Sequence, residues 1–184
     1  MKRYTYYIIA LLTLLTACGD TEYEYSGYPC NFVFNNSVGQ SPALTSATNP
    51  NSPGIFCRVT LSGGNYFSFA TNQGLSDRVT LTAIDKQRTI KIGTYNETGI
   101  ILGYGNLNNP AVFYAYDSQC PNCFRNTNLP RYQLTMHTDG TAECGSCRRK
   151  YDMNNGGIVV DGDGGDKLIR YHANVTGGVI SVIN

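Results

Sequence analysis

Cys120-Pro121-Asn122-Cys123 and Cys144-Gly145-Ser146-Cys147 place four thiols in two turns, each with a two-residue gap. That gap lets one tight turn aim both sulfurs the same way, which is the spacing of thiolate ligands around a tetrahedral metal. The turns lie only about 20 residues apart, so one compact unit can bring all four sulfurs to a common point. Three outcomes are open to such a set: a closed zinc site, a four-cysteine [2Fe-2S] cluster, or two disulfides and no metal. Arg148, Arg149 and Lys150 follow the second turn directly and can lower thiolate pKa values or offset the charge of a metal centre. A solvated turn is the plainer reading of that run.

The elements that must position these cysteines are strands. Val112-Phe113-Tyr114-Ala115-Tyr116-Asp117 runs directly into Cys120. Tyr132, Leu134 and Met136 alternate with polar residues, Thr138-Asp139-Gly140 supplies a turn, and Thr141-Ala142-Glu143 returns the chain to Cys144. The result is a hairpin between the two turns that draws them together, within a knuckle subdomain at about 117–152. Upstream, Tyr66–Phe69 and Val79–Ile84 alternate like half-buried strands, Gly99–Gly103 reads as a short buried strand, and Asp85–Gln87 admits a short helix. Downstream, Ile158–Val160, Leu168–Val175 and Val179–Val182 are strand-like, while Asn35–Pro53 is rich in Asn, Ser, Thr and Pro and reads as a long surface loop. With 20 glycines, 14 tyrosines and no amphipathic helix of ordinary length, the chain is expected to be all-β, a small sandwich or barrel.

The ends set the compartment. Lys2 and Arg3 precede an uncharged run from Tyr6 to Leu15, the length of a secretory apolar segment and too short to span a bilayer. Leu15-Thr16-Ala17-Cys18 then resembles a bacterial lipobox, which implies a signal peptide at 1–17 and a lipidated Cys18. Asp20, Glu22 and Glu24 resemble the acidic export signals of some surface lipoproteins, and a solvated tether explains them equally well. The expected organisation is a tether over 18–29 and a single domain over 30–184, held at the bacterial cell envelope by a lipid anchor, on the periplasmic face or the cell surface. With 14 basic and 13 acidic residues the chain has no field to hold nucleic acid, so the membrane is the expected partner, alongside a redox or binding partner of unspecified chemistry. An exported chain meets an oxidising compartment, so Cys30 and Cys57, each in a strand-like segment, are expected to form a disulfide worth about 3 kcal/mol. Two buried free thiols are the alternative.

The stretch from Phe113 to the C-terminus resembles a Rieske domain, the β-fold that holds a two-iron cluster between a C-x-H and a C-x-x-H loop. Cys144-Gly145-Ser146-Cys147-Arg148-Arg149-Lys150-Tyr151-Asp152 follows the family's run of cysteine, two residues, ligand, three residues, aromatic and Asp. Asn155-Gly156-Gly157, Leu168, Tyr171, Val175, Gly177-Gly178 and Val182 continue it, and Ala115-Tyr116-Asp117 before Cys120-Pro121 resembles the strand entering the first loop. The resemblance implies a Rieske-like fold and electron transfer. Both ligand histidines are replaced, however: Asn122 and Cys147 stand at their positions, and Cys123 lies one residue after the first. Metal held by Cys120, Cys123, Cys144 and Cys147 is one implication; the other is a non-enzymatic surface or periplasmic lipoprotein whose scaffold has lost its cluster and whose knuckles are disulfide-bonded.

The two histidines, His137 and His172, lie outside the knuckles and read as structural, and their number argues against the separate iron site of an oxygenase. Asp161-Gly162-Asp163-Gly164-Gly165-Asp166 begins like a calcium loop but lacks the glycine at position six, so it reads as a turn. No Ser, His and acid combination has a neighbourhood for hydrolysis, so an electron carrier or structural module is expected over an enzyme. Replacing the lipidation cysteine, Cys18→Ala, should move the protein from the membrane fraction to the soluble fraction on cell fractionation; retention in the membrane fraction contradicts the lipobox.

Overall fold

The computed structural model describes residues 24–184, so the expected signal peptide, the expected lipidation site Cys18 and the first part of the expected tether lie outside the described residues. In chain order the elements are β1 (Asn31–Asn35), α1 (Asn36–Gly39), α2 (Pro42–Ala47), β2 (Phe56–Ser62), β3 (Tyr66–Thr71), β4 (Ser76–Thr80), α3 (Ala83–Gln87), β5 (Ile100–Tyr104) and β6 (Phe113–Asp117). Then follow α4 (Pro121–Thr127), β7 (Leu134–Met136), β8 (Thr141–Cys144), β9 (Lys150–Asp152), β10 (Ile158–Asp161), β11 (His172–Thr176) and β12 (Val179–Ile183). Every strand pairing is antiparallel, in sheets ordered β4-β3-β2-β5-β6, β1-β12-β11 and β10-β9-β8-β7. The chain is therefore mostly β, as its composition indicates. Among the described residues no helix is long and apolar enough to cross a membrane.

Residues 35–53 depart from the expected surface loop and form α1 and α2. The Ser41 side chain accepts from the Leu44 amide and Pro42 occupies the first turn, so the polar residues that suggested a loop act as helix caps. Ala43, Leu44 and Ala47 then go fully into the core.

The central sheet is covered on both faces, which explains its apolar run. Ile100 and Leu102 of β5 pack with Phe32 and Phe34 of β1, Phe67 and Phe69 of β3, and Ile180 and Val182 of β12 in the main core. Ile101, between them, points the opposite way, with Phe56, Tyr114 and Tyr116, into a second core shared with Cys120, Leu134, Cys144 and Tyr151. Alternation at period two sends successive side chains to opposite faces, so three consecutive buried apolar residues require two covered faces. The five-stranded and three-stranded sheets join where residues 169–171, leading into β11, pair with β6: the Asp117 amide donates to Ile169 O at 2.9 Å and the Tyr171 amide to Ala115 O at 2.9 Å.

The strand β6 thus delivers the chain from the main core to the four-stranded sheet beside which the cysteines sit. Ile101→Ala should destabilise the protein by about 2–5 kcal/mol in denaturant unfolding, because the void it leaves lies between two packed layers. Ile84→Ala, at a side chain 62% exposed, should change stability by less than about 0.5 kcal/mol.

Candidate metal centre

The first cysteine turn is the opening of a helix. Cys120 is the N-cap of α4 in extended conformation, Pro121 fills the first turn, and Phe124 donates to Cys120 O at 2.9 Å, which puts Cys123 one turn along on the same side. The second turn is the tip of the β8–β9 hairpin: Cys144 ends β8, Arg148 donates to Cys144 O at 2.9 Å, and Cys144 donates to Arg149 O at 3.0 Å. Arg148 takes a left-handed φ of 60°, the sharp reversal that lets Cys147 face back over the turn.

One short ladder sets the two turns in register. Cys120 donates to Tyr132 O and Leu134 donates to Ser118 O, both at 2.8 Å, and Leu134 lies opposite Cys144 across β7 and β8. The expected hairpin between the turns is present, with Gly140 at φ 83° in its reversal and His137 donating to Thr141 O at 2.8 Å. Glycine suits that position because a side chain at positive φ is strained.

All four sulfurs lie within 4.8 Å of one another, and the four cysteines are positioned to hold a metal ion. The closest contacts run between turns, with Cys120 Sγ 3.6 Å from Cys147 Sγ and Cys123 Sγ 3.9 Å from Cys144 Sγ. A zinc–sulfur bond of about 2.3 Å gives a tetrahedron with edges of about 3.8 Å, which these two distances bracket. Cys120 and Cys144 are fully buried, whereas Cys123 and Cys147 are half-buried. All six described cysteines are free thiols.

The sulfurs differ electrostatically. Burial pushes the Cys120 thiol up to about 11, against the opposing Tyr151 hydroxyl, and Cys123 is raised further by burial and by the Cys147 thiol. Cys147 is lowered to about 7: burial pushes it up, but the Arg149 amide, the Arg149 guanidinium and the thiols of Cys123 and Cys120 outweigh it.

Two residues that the sequence did not mark as functional tie the centre to its cover. Tyr151, buried on β9, places its hydroxyl 3.1 Å from Cys120 Sγ and accepts from Asn122 Nδ2 at 3.0 Å, so the phenolic hydrogen is free to point at sulfur. Asn122 Oδ1 accepts from the Asp166 amide and its Nδ2 donates to Asp166 O, each at 3.0 Å. Arg149 donates to Asp163 O at 2.9 Å and to Gly164 O at 3.1 Å, and Arg125 pairs with Asp166. The glycine-rich loop after β10 is therefore clamped over the cysteines, and a Cβ at Gly165 would collide with Asn122 Oδ1. The signals available in the sequence were the position of Asn122 between two cysteines and of Tyr151 four residues after Cys147.

Other singled-out residues lie elsewhere. Cys30 and Cys57 are buried free thiols in the main core, not joined to each other, and burial raises them to about 11 and about 12. His137 lies 3.3 Å from Glu143 and His172 stacks on Tyr25 at 3.7 Å, so neither approaches the sulfurs as a ligand. Arg148 pairs with Glu143 at 3.0 Å and Lys150 with Asp161 at 3.7 Å, leaving Arg149 as the cation of that run that acts electrostatically on a thiol, Cys147. The described end of the expected tether is docked: Ser26 donates to Arg170 O at 2.8 Å and the Arg170 guanidinium lies 5.0 Å over the Tyr25 ring.

Asn122→Ala removes three hydrogen bonds at once and should destabilise the clamp by about 1–3 kcal/mol. Hydrogen exchange should then quicken at the Asp166 amide while the β2 and β5 amides keep their protection; unchanged exchange at Asp166 would show that Asn122 does not hold the loop. No family model matches this chain, and no curated protein or solved structure matches it.

Proposed function

We propose that this chain is a lipid-anchored cell-envelope protein whose β-domain carries one structural zinc ion in a shell of Cys120, Cys123, Cys144 and Cys147. The observation that carries the reading is the mutual closeness of the four sulfurs, all within 4.8 Å. A single tetrahedral ion needs every sulfur near every other, whereas a two-iron cluster gives each iron two thiolates and separates the pairs by the cluster itself. Four protein ligands complete the shell and leave no position for a substrate or water, so the role is structural: the ion ties the start of α4 to the β8–β9 tip. The frame is proposed to be Rieske-like, with sulfur in place of imidazole, on the strength of the run from Cys144 to Asp152. The envelope location is supported by the lipobox-like Leu15-Thr16-Ala17-Cys18.

A second reading, an iron centre that carries electrons, is favoured by the Tyr151 hydroxyl against Cys120 Sγ. Hydrogen bonds to sulfur are among the levers that set iron–sulfur potentials. Metal analysis of protein purified without oxygen, with a visible spectrum and a free-thiol count, separates the two. One colourless zinc per chain is expected; iron with visible colour establishes the second reading, and no metal with no free thiols contradicts both. Cys144→Ser, at a fully buried ligand, should release the ion and lower stability by about 3 kcal/mol or more. Full retention of zinc in that variant would place the ion elsewhere.

A further inference from the structure

We infer that Cys147 is the point at which two-electron oxidants such as peroxides attack the centre, and that Cys120 resolves the product, turning the metal shell into cross-knuckle disulfides Cys120–Cys147 and Cys123–Cys144. The inference rests on the single-ion reading above and adds a reaction to it. Three observations select the residues. Cys147 is half-buried, while Cys120 and Cys144 have no exposed surface, so a small oxidant meets Cys147 ahead of either. The Arg149 guanidinium acts electrostatically on Cys147 Sγ, whereas no cation is among the main electrostatic influences on the other half-buried sulfur, Cys123. That guanidinium is fixed by the carbonyls of Asp163 and Gly164, so it can also donate to the oxygen that leaves as the O–O bond breaks.

The third observation is distance. Cys120 Sγ lies 3.6 Å from Cys147 Sγ, and Cys123 Sγ lies 3.9 Å from Cys144 Sγ. Closing either pair to a disulfide bond requires an approach of less than about 2 Å. Within one turn, a bridge would instead span the start of α4, for Cys120 and Cys123, or the tip of the β8–β9 hairpin, for Cys144 and Cys147. The buried partner of each cross pair is therefore poised as the resolving thiol of an accessible one.

The chemistry closes on itself. A metal-bound thiolate is already deprotonated. Cys147 sulfur attacks one peroxide oxygen, the O–O bond breaks, and hydroxide leaves, giving Cys147 sulfenic acid. Cys120 thiolate then attacks that sulfur, the S–S bond forms, the S–O bond breaks, and a second hydroxide leaves. Two thiolates have given up two electrons, and one peroxide has become two hydroxides, which take up protons as water. A second peroxide converts Cys123 and Cys144 in the same way. A disulfide carries no charge to hold a divalent cation, so zinc departs.

The zinc-loaded protein, exposed to hydrogen peroxide beside a chromogenic zinc chelator, tests this directly. Expected are complete zinc release, loss of all four knuckle thiols with Cys30 and Cys57 still free, and peptide mass spectra showing Cys120–Cys147 and Cys123–Cys144. Dimedone present from the start should label Cys147, and dithiothreitol with added zinc should restore the loaded protein. Cys120–Cys123 and Cys144–Cys147 disulfides, first labelling at Cys123, or zinc retained under peroxide would each overturn the inference. A protein that contains no zinc before oxidant is added fails the metal reading itself, so the two failures are told apart.

Discussion

Four thiol sulfurs within 4.8 Å of one another are tolerable only while something manages their charge. Two unit charges about 4 Å apart repel by about 4 kcal/mol at an effective dielectric constant of 20, and a set of four thiolates multiplies that penalty. Cys120 is raised to about 11 chiefly by burial, and charge on the neighbouring Cys144 sulfur adds to the rise. A divalent cation reverses the sign: it deprotonates the thiols, screens each from the others and turns their crowding into coordination. The remainder of the small sheet serves this constraint.

That service is visible in how few backbone contacts fix the geometry. Residues 118–120 pair with 132–134, and Leu134 faces Cys144, so a single ladder carries both turns. Behind it, Tyr116 and Ile101 of the central sheet form a rigid floor, with the Tyr116 hydroxyl donating to Met153 O at 3.0 Å. In front, Asn122 and Arg149 hold the glycine-rich loop against the sulfurs, so the centre is packed on one side and covered by polar clamps on the other. The same arrangement leaves one sulfur of each turn half-exposed, which is why stability and oxidant sensitivity meet in one site.

Much of this framework could be read in the chain because it is local. The strand from Phe113 into Cys120, and the hairpin from Leu134 through Asp139-Gly140 to Cys144, follow from alternation and turn chemistry over a few residues each. Residues 36–47 were misread because Ser41 and Pro42, typical of loops, are equally the signals that start a helix. The network from Tyr151 through Asn122 to Asp166 was not legible, since it joins two side chains and the Asp166 backbone from three segments whose approach only the fold decides. Pairing Cys30 with Cys57 rested on an oxidising compartment and on the strand-like segments that hold them, with no other cysteine outside the knuckles and Cys18. Neither compartment nor strand character fixes which way a side chain points, and both thiols lie free in an apolar core.

X-ray absorption at the zinc edge of the purified protein measures the coordination on which the whole account turns. One shell of four sulfurs at about 2.3 Å, with no metal–metal scattering, is the expected result. A nitrogen or oxygen ligand, a second metal nearby, or fewer than four sulfurs would contradict it.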